Sequence, residues 1–220
     1  MFIGHYGISF AAKRADQRIP LWILFLATQL VDIFWALLVL LGRERARIKP
    51  GLLAASPLDL YYMPYTHSLP SAFVWAGTAA LGYWLLRRWF SLGGAAWLVG
   101  LTVGSHWLLD FIAHRPDMPL YGNYHKVGLG LWNSVAATLL AEGGLLCGGV
   151  FLYLRSSKPK TASGRYGFAL LALALLALQV ANILGPPPPS SRVVALTGLA
   201  AYFILAAIVY WLERPETVKI

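Results

Sequence analysis

Long apolar runs, separated by short polar, basic or glycine- and proline-containing stretches, dominate this chain of 220 residues. Each run is long enough for a helix to cross the hydrocarbon core of a bilayer at ~1.5 Å per residue. Because most connections are short, neighbouring helices should be antiparallel. The predicted spans are Ile19–Gly42, Leu69–Leu86, Leu92–Asp110, Val127–Leu154, Tyr166–Gly185 and Val193–Leu212.

The first residues form a separate, shorter element. Met1–Ala12 is apolar but too short to span a bilayer, and the polar stretch Arg14–Pro20 follows it. We expect a half-membrane helix that turns at this stretch and folds back on the first span. The predicted fold class is therefore all-α: a polytopic membrane helix bundle with about six spanning helices plus a short N-terminal half-membrane helix, in a single transmembrane domain over residues 1–220.

The composition supports a lipid environment. Hydrophobic residues make up 58% of the chain and charged residues 12%, whereas soluble domains carry roughly twice that charged fraction. The formal net charge of +9 does not indicate a nucleic-acid partner, because the basic residues lie in short clusters between apolar runs. Membrane lipids are the expected partners. Basic residues are more numerous on the side of Lys13–Arg18, which favours that side as cytoplasmic, although the cluster Arg43–Lys49 opposes it.

Ionisable side chains inside the apolar runs are the informative ones, because each costs roughly 2.5–3.5 kcal/mol to insert. His106 and Asp110 are four residues apart, which places them on one helical face about one turn apart. His5 and Asp32 lie at similar distances in sequence from the predicted turn, and His67 opens the second span. The predicted topology therefore brings all five residues to one face of the membrane.

Converging imidazoles and carboxylates become mutually satisfied around a divalent cation, with zinc as the first candidate. Structural alternatives stay open, including a simple His–Asp hydrogen bond, an interfacial histidine at position 5 and an arginine partner for Asp32. Glu142 is interpreted as a buried core glutamic acid and not as a ligand. The predicted metal ligands are His5, Asp32, His67, His106 and Asp110.

Further polar residues follow in the chain and are expected at the same face of the membrane. Asp110, His114 and Asp117 are candidates for a general base, and with Asp110 taken as a ligand the catalytic candidates are His114 and Asp117. Cations nearby could hold an anionic substrate group such as phosphate. The predicted substrate-binding residues are Arg115, Lys126 and Asn133. Residues 1–135 thus form a metal-site half, and residues 136–220 a set of apolar scaffold helices.

Several of these stretches resemble a known family. His5, Asp32, the run Thr66-His67-Ser68 and the run Ser105-His106-Trp107-Leu108-Leu109-Asp110 together resemble the YdjM-like membrane-bound metal-dependent hydrolases of bacteria. The resemblance covers roughly residues 1–135. It implies a metal site at the same five residues, a hydrolytic activity, and a multi-pass protein of the bacterial inner membrane.

Two stretches depart from the pattern that many relatives carry. Where relatives have an Asp-x-Asp pair, this chain has only Asp32, followed by Ile33 and Phe34; where they have His-Arg-Gly, it has Met63-Pro64-Tyr65. One metal ion is therefore as compatible with the sequence as two or three.

The sequence thus favours a membrane-embedded metal-dependent hydrolase that acts on an ester or phosphoester, a lipid among the candidates, at the membrane interface. Two alternatives from other classes stay open. The first is a metal-binding transporter or sensor without hydrolytic activity, and the second is a non-catalytic membrane scaffold whose polar cluster is only structural.

Overall fold

The computed structural model describes residues 1–156 and 162–213. Over these ranges the chain forms eight α-helices and two small antiparallel β-hairpins. The helices are α1 Ile3–Ala15, α2 Leu21–Thr28, α3 Leu30–Leu40, α4 Leu69–Leu86, α5 Ala96–Ala113, α6 Val135–Ser156, α7 Ala162–Leu184 and α8 Ser191–Glu213. The strands are β1 Arg45–Ile48 paired with β2 Leu58–Tyr62, and β3 Met118–Tyr121 paired with β4 Tyr124–Val127.

Five of the described helices, α4 to α8, are long and apolar enough to cross a membrane, and the bent pair α2 and α3 makes a sixth span if counted as one. The short helix α1 precedes them and packs inside the bundle, where His5 and Phe10 are fully buried. The predicted all-α membrane bundle, with about six spans and a short N-terminal helix, is confirmed.

The first span is not the continuous helix that Ile19–Gly42 predicted. It breaks at Gln29, and α2 and α3 meet at an angle of 49°. Thr28 contributes to the break, because its Oγ1 donates to the carbonyl oxygens of Leu24 and Phe25, a back-bonding pattern that bends helices. The break also leaves the Thr28 carbonyl oxygen free to accept a bond from another helix.

The start predicted for the fourth span, Val127, is also wrong. The chain first completes β4 and a short 3₁₀ turn, Leu131–Asn133, and α6 begins only at Val135. Gly128 packs so closely on the preceding segment that a Cβ there would lie 2.2 Å from the Arg115 carbonyl oxygen, and Gly130 has a positive φ of 75°. Neither position suits a helix.

Glycines let α1 pack directly against α6. A Cβ at Gly7 would lie 2.3 Å from the Leu145 carbonyl oxygen, and one at Gly149 would lie 2.2 Å from the Gly7 carbonyl oxygen. Small residues of this kind allow backbones in membranes to approach closely. The contact fixes the helix that carries His5 inside the bundle.

The buried carboxylate of Asp59 joins the first hairpin to the segment between α5 and the second hairpin. Arg47 Nε donates to it at 2.6 Å, Lys49 Nζ lies 3.1 Å away, and the Arg115 guanidinium also donates to it. Burial raises the pKa of Asp59, but these cations outweigh that effect and hold the pKa below its ordinary value. These contacts of Asp59 hold β1 and β2 against the segment that follows α5.

Candidate metal centre

The five predicted ligands, His5, Asp32, His67, His106 and Asp110, form one polar cluster, and helix α5 carries its central residues. His106 and Asp110 lie on its buried face one turn apart, and His106 Nε2 is 3.1 Å from Asp110 Oδ2. His114 comes immediately after the helix ends, with its Nε2 at 3.7 Å from the same oxygen. The spacing in sequence therefore places three donors along one line.

Two other elements complete the group around His106. Asp32 of α3 brings its Oδ1 to 3.4 Å from His67 Nε2 and 3.5 Å from His106 Nε2, and His67 Nε2 is 3.6 Å from Asp110 Oδ2. His67 is held at this depth because Ser68 caps α4 directly behind it, accepting a bond from the Ser71 N–H. Two ligands of one tetrahedral zinc ion lie about 3.4 Å apart, given bonds of ~2.0–2.2 Å. The separations match that value.

His5 joins the cluster from α1. Its ring stacks on the His106 ring at 4.0 Å between centroids, and its Nε2 is 3.2 Å from Asp110 Oδ1, which also contacts the Met1 amino group. Within the described residues two groups have donor atoms within 4.8 Å of one another: His5, His106 and Asp110, and Asp32, His67 and His106. The structure therefore brings together all five predicted ligands, and His106 belongs to both groups.

The outward-facing nitrogens of two histidines are fixed by hydrogen bonds. His106 Nδ1–H donates to the free carbonyl oxygen of Thr28 at 2.7 Å. His67 Nδ1–H donates at 2.7 Å to the Thr66 hydroxyl, which donates in turn to the buried Glu44 carboxylate at 2.6 Å. Histidines that ligate metals almost always donate their second ring N–H in this way, because the bond fixes tautomer and orientation.

The environment of the inward-facing His106 Nε2 indicates whether a cation fits between these residues. It is buried between Asp32 and Asp110, yet neither contact is aligned as a hydrogen bond and the atom has no hydrogen-bond partner among the described residues. Ligands of an ion point at the ion and not at one another. The buried imidazoles and carboxylates of this cluster could thus hold a divalent metal ion, and their N and O donors suit zinc.

A proton can replace the cation at His67. Burial lowers the pKa of this imidazole, but its contacts with Asp110 and Asp32 outweigh burial and raise the pKa to about 9. The metal-free protein at neutral pH therefore keeps a proton between these groups, and a cation must displace it.

His114 and Asp117, the predicted catalytic residues, form a buried pair. His114 Nδ1–H donates to Asp117 Oδ1 at 2.9 Å, and the His114 ring lies 4.4 Å from the Trp132 ring. This bond leaves Nε2 as the basic nitrogen, facing Asp110. The pair has the geometry of a carboxylate-oriented general base.

The predicted substrate-binding residues are placed differently. Arg115 contacts Asp59 and Asp117, Lys126 Nζ donates to the Tyr61 carbonyl oxygen at 2.7 Å, and Asn133 is exposed. The two cations thus hold the outer hairpins together, and none of these three side chains lines the cavity described below.

Glu142 caps α1 from α6. Its Oε2 accepts bonds from the Phe2 N–H at 2.8 Å and the Gly4 N–H at 3.3 Å, so it is a hydrogen-bonded core residue. Its Oε1 is buried and has no partner within the part of the chain that the structure describes.

A cavity of about 440 Å³ lies against the cluster and is lined in part by Asp32, His67, Asp110 and His114. Side chains of α7 and α8 also line it, and the Tyr202 hydroxyl of α8 donates to Asp32 Oδ2 at 3.2 Å. Residues beyond 135 therefore contribute to the site's surroundings and not only to a scaffold.

Four residues around the site were not predicted from the sequence as parts of it: Glu44, Thr28, Tyr202 and Thr66, although Thr66 stands in the run Thr66-His67-Ser68. Glu44 had one signal, because it is the single acid in the basic cluster Arg43–Lys49. Thr28 acts through its backbone carbonyl oxygen, and Tyr202 lies in an otherwise apolar span, so only the fold identifies them. No family model, curated protein or solved structure matches the chain.

Proposed function

We propose that this protein is a membrane-embedded hydrolase that uses a divalent metal ion, most simply zinc, to cleave an ester or phosphoester at the membrane interface. The observation that carries the proposal is the His106 Nε2 atom, buried between two carboxylates without an aligned hydrogen bond. The resemblance of residues 1–135 to the YdjM-like hydrolases supports this proposal. We also propose that the protein lies in the bacterial inner membrane.

The ligands in this proposal form two groups that share His106: Asp32, His67 and His106 in one, and His5, His106 and Asp110 in the other. A divalent ion there would supply a Lewis acid that acidifies water and polarises an ester or phosphoryl oxygen. Thr66 and the Thr28 carbonyl oxygen hold the imidazoles in the orientation that ligation needs.

His114 is the proposed general base. Its Nε2 is within 3.7 Å of Asp110 and lines the cavity, so it can take a proton from an attacking water. Asp117 is a positioning residue, because it keeps the proton on Nδ1 and stabilises the imidazolium that forms. A base of this type contributes roughly 10²–10⁴-fold to the rate.

The test compares purified wild-type protein, loaded with zinc, with His114→Gln and the control His125→Gln, since His125 is exposed in the second hairpin. On a panel of carboxylic and phosphoric esters we expect turnover by the wild type and the control. His114→Gln should keep its metal and lose roughly 10²–10⁴-fold in kcat. Metal-loaded wild type without turnover on any ester, or a His114→Gln variant of unchanged rate, would contradict the proposal.

A further inference from the structure

The cavity beside the polar cluster has a polar and an apolar part. Three cluster side chains and His114 supply charged and imidazole groups at one part of its lining. Apolar side chains of β2, α7 and α8 supply another part of the lining, beside the polar residues Gln179, Asn182, Thr197 and Tyr202. The apolar side chains include Leu58, Leu60, Leu178, Ile183, Val194 and Ala201.

Two residues that line the cavity each carry a buried polar atom without a partner among the described residues. Trp35 Nε1 is a donor, Glu142 Oε1 is an acceptor, and both residues line the cavity. A buried donor without an acceptor is costly, so this arrangement suits a ligand that brings an oxygen to Trp35. Ester carbonyl and phosphoryl oxygens both meet that requirement.

Together these features suit an amphiphile with its reactive group at the metal cluster and a hydrocarbon tail along the apolar lining. The volume of about 440 Å³ lies in the lower part of the range for small-molecule sites, roughly 300–1,000 Å³. Three of the proposed ligands, Asp32, His67 and Asp110, line the cavity, so a molecule bound in it lies beside the metal site.

We propose that the substrate is an ester or phosphoester carrying one hydrocarbon chain, which lies between α3, α7 and α8 while its polar group reaches the cluster. This inference rests on the proposed hydrolase function and names its substrate class. The chain can belong to a membrane lipid or to a single-chain ester from water, and the chemistry recognised is the same.

The first experiment compares acetyl and lauroyl esters of one leaving group, kept below micelle formation so that the longer chain leaves water on binding. Each buried methylene should then raise kcat/KM by roughly fourfold until the cavity is filled. Ala181 is exposed on α7 and lines the cavity, so Ala181→Phe narrows the cavity without displacing a buried side chain.

The matched control is Ala177→Phe, which adds the same ring one turn earlier on α7 at an exposed position outside the cavity lining. Ala181→Phe should lower kcat/KM for the lauroyl ester at least tenfold, leave the acetyl ester within about twofold, and leave the metal content unchanged. Ala177→Phe should match the wild type on both esters. An equal response of the two variants, or no chain-length preference, overturns the inference while leaving the hydrolase proposal intact.

Binding separates failure of the inference from failure of the proposed function. Lauryl phosphonate, which has no ester to cleave, should raise the thermal unfolding temperature of the wild type and do so less for Ala181→Phe, whereas methyl phosphonate should not. Absence of hydrolysis with this binding pattern contradicts the hydrolase and supports the chain site; absence of the binding pattern overturns the inference. Vesicles containing lysophospholipid or diacyl phospholipid form the last arm, and their turnover relative to the soluble lauroyl ester identifies the source of the chain.

Discussion

At His67, a short relay of hydrogen bonds prepares the imidazole for a cation. Glu44 accepts from the Thr66 hydroxyl, which accepts from His67 Nδ1–H, so Nε2 faces Asp32 and Asp110. Glu44 also accepts the Tyr65 and Thr66 backbone N–H groups. The relay therefore fixes both the side chain and the backbone that carries it.

Thr66→Val removes the hydroxyl of the relay at nearly constant shape. We expect the apparent affinity for zinc to fall about 10–100-fold, as it does when outer partners of ligating histidines are lost. Thr66→Ser keeps the hydroxyl and should stay close to the wild type. Competition titration with a chelator measures both variants, and equal affinities for Val and Ser at this position would show that the relay does not act on a metal.

Metal binding at His67 should depend on pH. Because its pKa in the metal-free protein is raised to about 9, a proton occupies the group below that pH and competes with the cation. The apparent zinc affinity should therefore rise as pH increases from mildly acidic values towards about 9, with release of protons on binding. Titration in buffers of different ionisation enthalpy measures the proton release, and a pH-independent affinity would contradict this assignment.

Sequence spacing predicted which ionisable residues converge, but not the groups around them. His106 and Asp110 stand at helical spacing, and His5, Asp32 and His67 are rare polar residues in or beside apolar runs, so insertion cost alone selects them. The Thr28 carbonyl oxygen becomes available only because the helix breaks at Gln29, and the residue types there do not predict a break.

Among the helices, the contact between α1 and α6 determines where His5 lies. Gly149 and Gly7 touch through their backbones, whereas a Cβ at the neighbouring Gly148 would meet nothing within 4 Å. Gly148 and Gly149 lie in the same helix and have the same helix propensity, so they differ only in packing.

Gly149→Ala should push α1 away from α6, lower the thermal unfolding temperature and reduce metal content, because His5 and the Glu142 cap move with α1. Gly148→Ala should be neutral or stabilise by roughly 0.5–1 kcal/mol, the ordinary helix gain of alanine over glycine. Thermal unfolding in detergent compares the pair, and equal behaviour of the two variants would exclude close α1–α6 packing as the feature that positions His5.

Hydropathy predicted most spans but missed details within and between them. It predicted α4 at Leu69–Leu86 without error and placed α7 and α8 within a few residues. It could not reveal the break at Gln29, since both halves are equally apolar, and it missed the hairpins, since strands of four or five residues between spans carry too short a pattern.

In the molecule as a whole, the polar cluster lies between the cavity and a layer of apolar side chains. On the side towards the Lys13–Arg18 turn, a tightly packed layer of buried apolar side chains adjoins it, including Phe10, Phe25, Val103 and Phe168. Such a layer favours a one-sided pocket over a continuous polar path, so it favours the hydrolase over the transporter.

Elemental analysis of the purified protein shows whether the cluster of His5, Asp32, His67, His106 and Asp110 holds a metal ion. We expect near-stoichiometric zinc or another divalent metal in the wild type and in His125→Ala, and loss of that metal in His106→Ala and in Asp110→Ala, because each variant removes a donor of the cluster. A wild-type protein that stays metal-free after incubation with zinc, or a His106→Ala variant with unchanged metal content, would exclude a metal ion held by this cluster.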